Sequence, residues 1–412
     1  MVDYDVIIIG AGPAGAVSSA YLNNKGNSVL VIEKQIFPRF VIGESLLPHC
    51  MDHLEESGLL DAVKKAGFKK KKGAIFNSEN KKCEFSFSEQ YSKEWEWTWQ
   101  VERAKFDQVL AQEVQNQGVE IKFNTSVKNV SCSSTIQEVE YEDEGGDIKT
   151  LKAKFVIDAS GYGRVLPRLF KLSEPSDIEA RGSVFTHVLE NSRQEKGEEN
   201  IIVHSFENNK AWIWIIPFPG GRTSVGLVGE EDLIKDYAEN NGEKFKKLIS
   251  TFEWLNERFV DVPLLFDPKM ILGYSVGVKQ MHGEGYALCG NSTEFLDPIF
   301  SSGVTLATFT GLKAAKLAHQ QINGDTVNWQ RDYEDVIKKG IDVFRSYVKA
   351  WYNGDFGKIL FAKSIEPQFK NQICSVLAGY VWDQSNPFVK KHKTIIPVLA
   401  KVISIKEKAG KN

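Results

Sequence analysis

Cysteine is scarce in this sequence, and its positions suggest neither a disulfide framework nor a thiolate metal site. The five cysteines are scattered, odd in number and free of any C-x-x-C pair, which fits a reducing compartment. No run of about 18 apolar residues occurs, so we expect neither a membrane span nor contact with a membrane. Because a strand-like run starts directly at Val6, we also expect no leader segment and a cytoplasmic protein.

A strong charge of either sign is missing as well. Fifty-one basic residues oppose 54 acidic ones, and the net charge of −3 supplies no basic field for a nucleic-acid partner. The seven histidines are scattered, and we expect no metal. Hydrophobic residues at 42% and only 13 prolines are typical of a globular chain, and 412 residues are enough for two to three domains of about 150 residues.

The first 34 residues predict a strand, a glycine turn, a helix and a second strand. Val6–Ile9 and Val29–Ile32 are apolar runs of mostly β-branched residues, suited to strands that are buried on both faces, and Ala14–Asn23 has helical spacing. Gly26 stands where a left-handed helix end is expected. This pattern predicts a βαβ unit that opens a parallel sheet.

The turn of this unit carries a dinucleotide-binding pattern. Residues 10–15 fit G-x-G-x-x-G, and Glu33 follows at the end of the second strand. Gly10 would make the tight turn, Gly12 would let the backbone approach a pyrophosphate, Gly15 would let helix pack on strand, and Glu33 would accept hydrogen bonds from ribose hydroxyls. The alternative is a purely structural glycine turn. Because no second such motif is present to hold a nicotinamide nucleotide, the sequence favours FAD.

Further along, the pattern alternates between two kinds of segment. Residues 44–66 look helical, 73–101 alternate like strands with Trp95, Trp97 and Trp99 two apart, and 180–230 read as an antiparallel sheet. We predict an α/β protein with a glutathione-reductase-like Rossmann fold, an interleaved antiparallel substrate-binding sheet and a helical C-terminal region. The expected division is 1–72, 101–172 and 276–322 for the FAD-binding domain, 73–100 and 173–275 for the substrate layer, and 323–412 for the helical region.

Five stretches together resemble the flavin-dependent halogenases, a branch of the FAD hydroxylase and geranylgeranyl reductase superfamily. They are residues 38–48 around G-E-S-L-L-P, the Q-V-E-R-A-K-F-D run from Gln100, D-A-S-G from Asp158, W-I-W-I-I-P from Trp212, and N-S-T-E-F-L-D-P-I-F-S-S-G-V from Asn291. The resemblance implies FAD binding and assigns residues to it. With the glycine motif, the expected cofactor-binding residues are Gly10, Gly12, Pro13, Ala14, Gly15, Glu33, Lys34, Gly43, Arg103, Val127, Asn291, Pro298, Gly303 and Val304.

The resemblance also implies catalytic and halide-binding residues. The family's catalytic lysine precedes a G-A-x-F strand by two residues, which points to Lys71, with Lys72 as the alternative register. A solvated turn is the competing interpretation of the four consecutive lysines. Backbone amides at Ser302 and Gly303 would hold a halide beside the flavin, unless this segment is only a glycine turn.

In the implied reaction, reduced FAD reacts with oxygen to give a flavin peroxide, which halide attacks to give hypohalous acid. The hypohalous acid then halogenates a small aromatic substrate. A separate flavin reductase is the implied partner. Phe300 stands where tryptophan halogenases have a Glu, which favours a phenol- or pyrrole-like substrate, and Asn291 replaces an Asp near the ribityl chain. The alternatives are a reductase or dehydrogenase of the geranylgeranyl reductase type, a related monooxygenase, or a non-catalytic flavin carrier.

Overall fold

The computed structural model describes residues 1–78, 81–190, 199–206, 210–251, 258–259 and 261–409. Parts of the predicted substrate layer therefore lie outside the described residues. The strands are β1 (Tyr4–Ile9), β2 (Val29–Ile32), β3 (Lys69–Lys71), β4 (Gly73–Ser78), β5 (Lys81–Ser86), β6 (Thr98–Gln100), β7 (Glu120–Lys122), β8 (Ser126–Ser131), β9 (Gln137–Glu142), β10 (Ile148–Asp158), β11 (Ser173–Pro175), β12 (Arg181–Leu189), β13 (Ile201–Phe206), β14 (Ala211–Pro217), β15 (Arg222–Glu230), β16 (Lys269–Leu272), β17 (Val276–Val278), β18 (His282–Gly283) and β19 (Tyr286–Leu288).

Helices cover most of the chain after residue 301 and a few segments before it. They are α1 (Pro13–Asn24), α2 (Cys50–Glu56), α3 (Leu60–Lys65), α4 (Arg103–Asn116), α5 (Val165–Leu169), α6 (Glu231–Thr251, interrupted at 239–242), α7 (Ser302–Ile322), α8 (Asp335–Tyr352), α9 (Asp355–Leu360), α10 (Pro367–Leu377), α11 (Pro387–Lys390) and α12 (His392–Ala409).

The first sheet has a parallel centre. Its main strand order is β18-β19-β10-β1-β2-β7, and β8 and β9 extend it from β10 as an antiparallel pair. Strand β1 pairs in parallel with both β2 and β10, and its Val6–Ile9 run is almost completely buried, as expected of a strand covered on both faces. Helix α1 connects β1 to β2, so the predicted βαβ unit is confirmed.

The second sheet has the order β16-β12-β15-β14-β13-β4-β5 and is antiparallel except for the β4–β13 pair. One face of β14 contributes Trp212 and Trp214 to the main core, while Ile213 and Ile215 of the other face pack in a separate cluster with Phe245 of α6. The protein is thus a mixed α/β fold with several sheets and a helical C-terminal region, as the sequence predicts. Strands of the first sheet come from 4–32, 120–158 and 282–288, and those of the second from 73–86 and 181–272; the division into domains stays a prediction.

Two local predictions are wrong. Residues 44–48 are not helical, because the Glu44 carbonyl accepts from the Val101 amide at 2.7 Å and the Leu46 amide donates to the Trp99 carbonyl at 3.0 Å, which keeps this segment extended. Residues 73–101 are not continuous strand either, since Trp95 and Trp97 lie outside any strand. Edge-to-face ring contacts of 5.8 and 5.1 Å join the three tryptophans instead of a shared strand face.

Among the described helices, none combines the length and the apolar character that crossing a bilayer requires.

Candidate functional site

A cavity of about 830 Å³ lies at the carboxyl ends of β1, β2 and β10, the edge at which open α/β sheets bind ligands. It extends to the second sheet, where Trp212 and Trp214 form part of its wall. Thirteen of the fourteen residues predicted to bind the cofactor line it, whereas Gly15 does not, nor does Ser302 of the predicted halide site. The thirteen are Gly10, Gly12, Pro13, Ala14, Glu33, Lys34, Gly43, Arg103, Val127, Asn291, Pro298, Gly303 and Val304.

The three glycines of the first turn have different physical reasons to be glycine. Gly10 has a φ of 99°, and a Cβ there would lie 2.6 Å from the Ala159 carbonyl oxygen. A Cβ at Gly15 would lie 1.9 Å from the Gly10 oxygen, so this position allows helix and strand to pack. Gly12, in contrast, is extended, and apart from its own chain neighbours the nearest atom to a Cβ there would be a nitrogen of Arg39 at 3.6 Å. Its open side faces the cavity at the positive N-terminus of α1.

Glu33 anchors this turn from the end of β2. Its carboxylate accepts hydrogen bonds from the Ala11 and Gln35 amides, each at 2.9 Å, and the side chain is almost completely buried. The Nε of Arg39 lies 3.9 Å from the same carboxylate. Since each carboxylate oxygen can accept more than one hydrogen bond, Glu33 can both hold the glycine turn and accept from a ribose hydroxyl.

Arg103 holds the segment 42–46, which we call the strap, against the cavity. Its guanidinium donates to the Ile42 and Gly43 carbonyls at 3.1 and 3.3 Å. Two further bonds, of 2.9 and 3.0 Å, go to the Asp107 carboxylate one helical turn later. The charge of Asp107 therefore fixes Arg103, and Arg103 fixes the strap.

The predicted halide-binding residues lie at the N-terminus of α7. Ser301 precedes the helix in a left-handed conformation with a φ of 57°, and it lines the cavity beside Gly303. Ser302 is buried behind them. No described side chain caps this helix and its first turn has no acidic residue, so its free amides form a positive end where an anion is favoured.

Lys71 is buried, with 1% of its surface exposed, at the end of β3. Its Nζ donates to the Ser45 hydroxyl at 2.9 Å and to the Leu46 carbonyl at 2.8 Å, and both partners belong to the strap. Burial lowers the pKa of Lys71 to about 7, and the nearby Cys50 thiol opposes this shift. Lys71 does not line the cavity itself, but its partner Ser45 does. A substantial fraction of the Lys71 amine is therefore uncharged near pH 7. Only Ser45 separates this amine from the cavity.

The other lysines of the run differ from Lys71. Lys70 is exposed and stacks over the Trp97 ring at 4.4 Å. Lys72 keeps 63% of its side chain exposed and lies 3.5 Å from the Glu199 carboxylate. The β3–β6 pairing thus turns only alternate lysines toward the interior.

Comparison with known proteins shows the family to which the chain belongs. A family model described as an FAD binding domain matches residues 3–230, more than half of the chain. The chain is also similar to the 1H-pyrrole-2-carbonyl-(peptidyl-carrier protein) chlorinase of Pseudomonas fluorescens, at 28% identity over 92% of this chain and 90% of the relative. The chain belongs to the FAD-binding flavoproteins, in the flavin-dependent halogenase family. It is an FAD-dependent oxidoreductase.

Two solved structures resemble this flavoprotein over nearly its whole length. One is a flavoprotein/dehydrogenase from Cytophaga hutchinsonii, with 48% identity, a TM-score of 0.95 and coverage of 98% of this chain and 99% of that one. The other is the flavin-dependent brominase Bmp2, with 27% identity, a TM-score of 0.81 and coverage of 99% and 100%.

FAD fits the residues that this flavoprotein presents. The uncapped N-terminus of α1, the open side of Gly12 and the buried Glu33 carboxylate supply the contacts that a pyrophosphate and a ribose need. Asn291 also lines the cavity, and its backbone oxygen accepts a hydrogen bond from Arg164 at 3.0 Å.

Sequence reasoning missed a buried acid–imidazole pair of this flavoprotein, of which the acid, Glu44, lines the cavity. Glu44 of the strap and His187 of β12 approach within 2.7 Å, and the second oxygen of Glu44 has no partner among the described residues. A second missed group is Asp297, which accepts from Tyr274 at 3.2 Å and Tyr352 at 2.8 Å. The residues that meet in each of these two groups are 23 to 143 positions apart in the chain. No local sequence pattern could therefore have indicated that they are in contact.

Two of the histidines, His49 and His53, are not scattered as the sequence analysis assumed. His49 and His53 are four residues apart at the start of α2, and their ring centroids lie 4.5 Å from each other. Each already has a protein partner, the Gly379 carbonyl at 3.0 Å and the Thr308 hydroxyl at 2.8 Å. Burial lowers the pKa of His49 to about 4. We therefore interpret the pair as part of the core.

Proposed function

We propose that this flavoprotein halogenates small aromatic compounds of the phenol or pyrrole type. The observation that carries the proposal is the Lys71 amine, which is buried, close to neutral at physiological pH and bonded to a residue of the cavity wall. Such an amine can accept a halogen atom from an oxidised halogen species and pass it to a ring. A structural lysine would be expected to pair with a carboxylate, whereas the described partners of Lys71 are neutral oxygens.

The remaining roles follow from the cavity. Reduced FAD, when bound, supplies the electrons that activate oxygen and so convert halide to an electrophilic halogen species. The amides at the start of α7 would hold the halide, and Trp212 and Trp214 would exclude water at the substrate side. The glutathione-reductase-like subtype and the cytoplasmic location are part of the same proposal, and the five cysteines, all free, support the latter.

The substrate class rests on two observations. Two relatives have names that specify a pyrrole carbonyl group on a peptidyl-carrier protein, one a chlorinase and the other a brominase. Phe300, which the family resemblance places where tryptophan halogenases have a Glu, lies buried among Phe76, Tyr347 and Trp351. An apolar side chain there favours a substrate without a group that needs a carboxylate partner.

The test is a reconstituted reaction with the holoenzyme, bromide, oxygen, NADH and a separate flavin reductase, offered a panel of phenols and pyrroles. We expect brominated product by mass spectrometry only when the reductase is present, because this chain shows no second nucleotide motif for NADH or NADPH. Rapid anaerobic bleaching of the flavin by NADPH alone would contradict the two-component proposal. Electron transfer to an alkene without halogenation would instead support the reductase or dehydrogenase alternative.

A pH profile provides a second expectation. Since the pKa of Lys71 is lowered to about 7, the amine is protonated and loses its nucleophilic lone pair below that pH. Product formation should fall by about tenfold per pH unit below roughly pH 7 and level off above it. The rate of flavin reoxidation, measured in the same samples, should not decrease at low pH in this way. A halogenation rate that stays constant from about pH 5.5 to 8.5 would argue against a neutral Lys71.

A further inference from the structure

The pairing of β3 with β6 collects polar side chains on one buried face. Lys69 lies opposite Gln100 and Lys71 opposite Thr98, and an isolated bridge places Ser45 of the strap on the other side of Gln100. Residues opposite each other in antiparallel strands share a face, so Gln100, Ser45 and Lys71 point to the same side. The other face carries Lys70, whose amine lies over Trp97.

Gln100 is a buried member of this face whose carboxamide has no hydrogen-bond partner among the described residues. Its side chain is completely buried, and neither the nitrogen nor the oxygen of its carboxamide has a partner among the described residues. An amide that is buried with both ends unpaired costs free energy, so the arrangement implies a small molecule that pairs with it. Its cross-strand neighbour Ser45 accepts from Lys71 and also lines the cavity, which gives that molecule a way in.

The chemistry of the face limits what the molecule can be. A carboxamide offers one acceptor and two donors, and a neutral molecule with an O–H group can satisfy both ends. A halide ion has no hydrogen for the amide oxygen, and an aromatic ring is too large to reach a completely buried group. Hypohalous acid has the required O–H, is small and neutral, and is the species that the proposed function delivers from the cavity.

We propose that Gln100 binds hypohalous acid and holds it against the amine of Lys71. This inference rests on the proposed function. In the step that follows, the amine nitrogen attacks the halogen, the N–halogen bond forms as the O–halogen bond breaks, and the departing hydroxide takes a proton from the nitrogen to leave as water. The halogen keeps its oxidation level, so no further oxidant is needed.

The experiment compares the parent with Gln100→Leu and Gln100→Glu, using reduced FAD, oxygen and bromide without an aromatic substrate. Oxidising equivalents retained on the desalted protein are titrated with a thiol, and free hypobromous acid is trapped with monochlorodimedone. We expect both variants to keep FAD, while the retained equivalents fall roughly tenfold or more in Gln100→Leu and free acid rises to match. Gln100→Glu keeps an acceptor and should lie between.

Gln372→Leu is the matched control, because Gln372 is also a buried glutamine but lies on α10. This variant should retain the same amount of protein-bound oxidising equivalents as the parent. If Gln100→Leu also does so, the amide pairs only with water and the inference is overturned. If Gln100→Leu fails to fold, the smaller change in Gln100→Glu decides the question by the same readout. A parent that oxidises no bromide at all, retained or free, contradicts the proposed function itself and the inference with it.

Discussion

Lys71→Met should reduce halogenated product by at least about a hundredfold and leave FAD bound. Methionine has a similar length and suits a buried position, but it has no amine to take up the halogen. The hydrogen bonds to Ser45 and Leu46 are lost, but neither of these partners is among the residues expected to bind the cofactor. Product quantified by mass spectrometry, beside FAD absorbance, separates loss of chemistry from loss of cofactor.

Lys72→Met is the matched control, because it makes the same lysine-to-methionine substitution at the neighbouring position. Lys72 is exposed and its ion pair with Glu199 is of the surface kind, worth roughly 0–1 kcal/mol. This variant should halogenate like the parent. Equal activity of Lys71→Met and the parent would mean that Lys71 only supports the strap.

The contrast between these lysines shows where sequence reasoning reaches its limit. Four consecutive lysines have nearly the same local sequence environment, so the sequence leaves a solvated turn as a serious alternative. Burial of Lys71 depends on pairing with β6, almost thirty residues later, and on the strap, about 25 residues earlier. The family resemblance supplied the position, and the tertiary structure supplies the desolvation.

The βαβ unit was predictable for the opposite reason. Its strands, glycine turn and acid lie within 33 residues, and each position has a steric or electrostatic requirement that few residues meet. Gly10 and Gly15 are examples, since a Cβ at either would collide with backbone. Glu44 and His187 are 143 residues apart and meet only because the strap crosses to the second sheet. Neither residue type nor spacing could indicate that pair.

A side chain at Gly12, unlike one at Gly10 or Gly15, would not collide with the backbone, and this leads to the second prediction with a large effect. Gly12→Val should fold normally and lose FAD. Gly12 is extended, with φ of −69° and ψ of −174°, a conformation that valine adopts readily, and its Cβ would meet no protein atom within 3.5 Å. The added methyl groups would occupy the space at the N-terminus of α1 that a pyrophosphate needs, so the yellow colour should disappear after purification.

Gly15→Ala is the informative counterpart. Its Cβ would lie 1.9 Å from the Gly10 oxygen, so the helix must move and stability should fall by about 1–3 kcal/mol or more. Thermal unfolding of the two apoproteins should therefore separate them, with Gly12→Val within about 0.5 kcal/mol of the parent apoprotein. Added FAD should raise the Tm of the parent and not that of Gly12→Val, because only binding to the folded state stabilises it. FAD retained by Gly12→Val at the parent stoichiometry would show that the pyrophosphate does not lie over this turn.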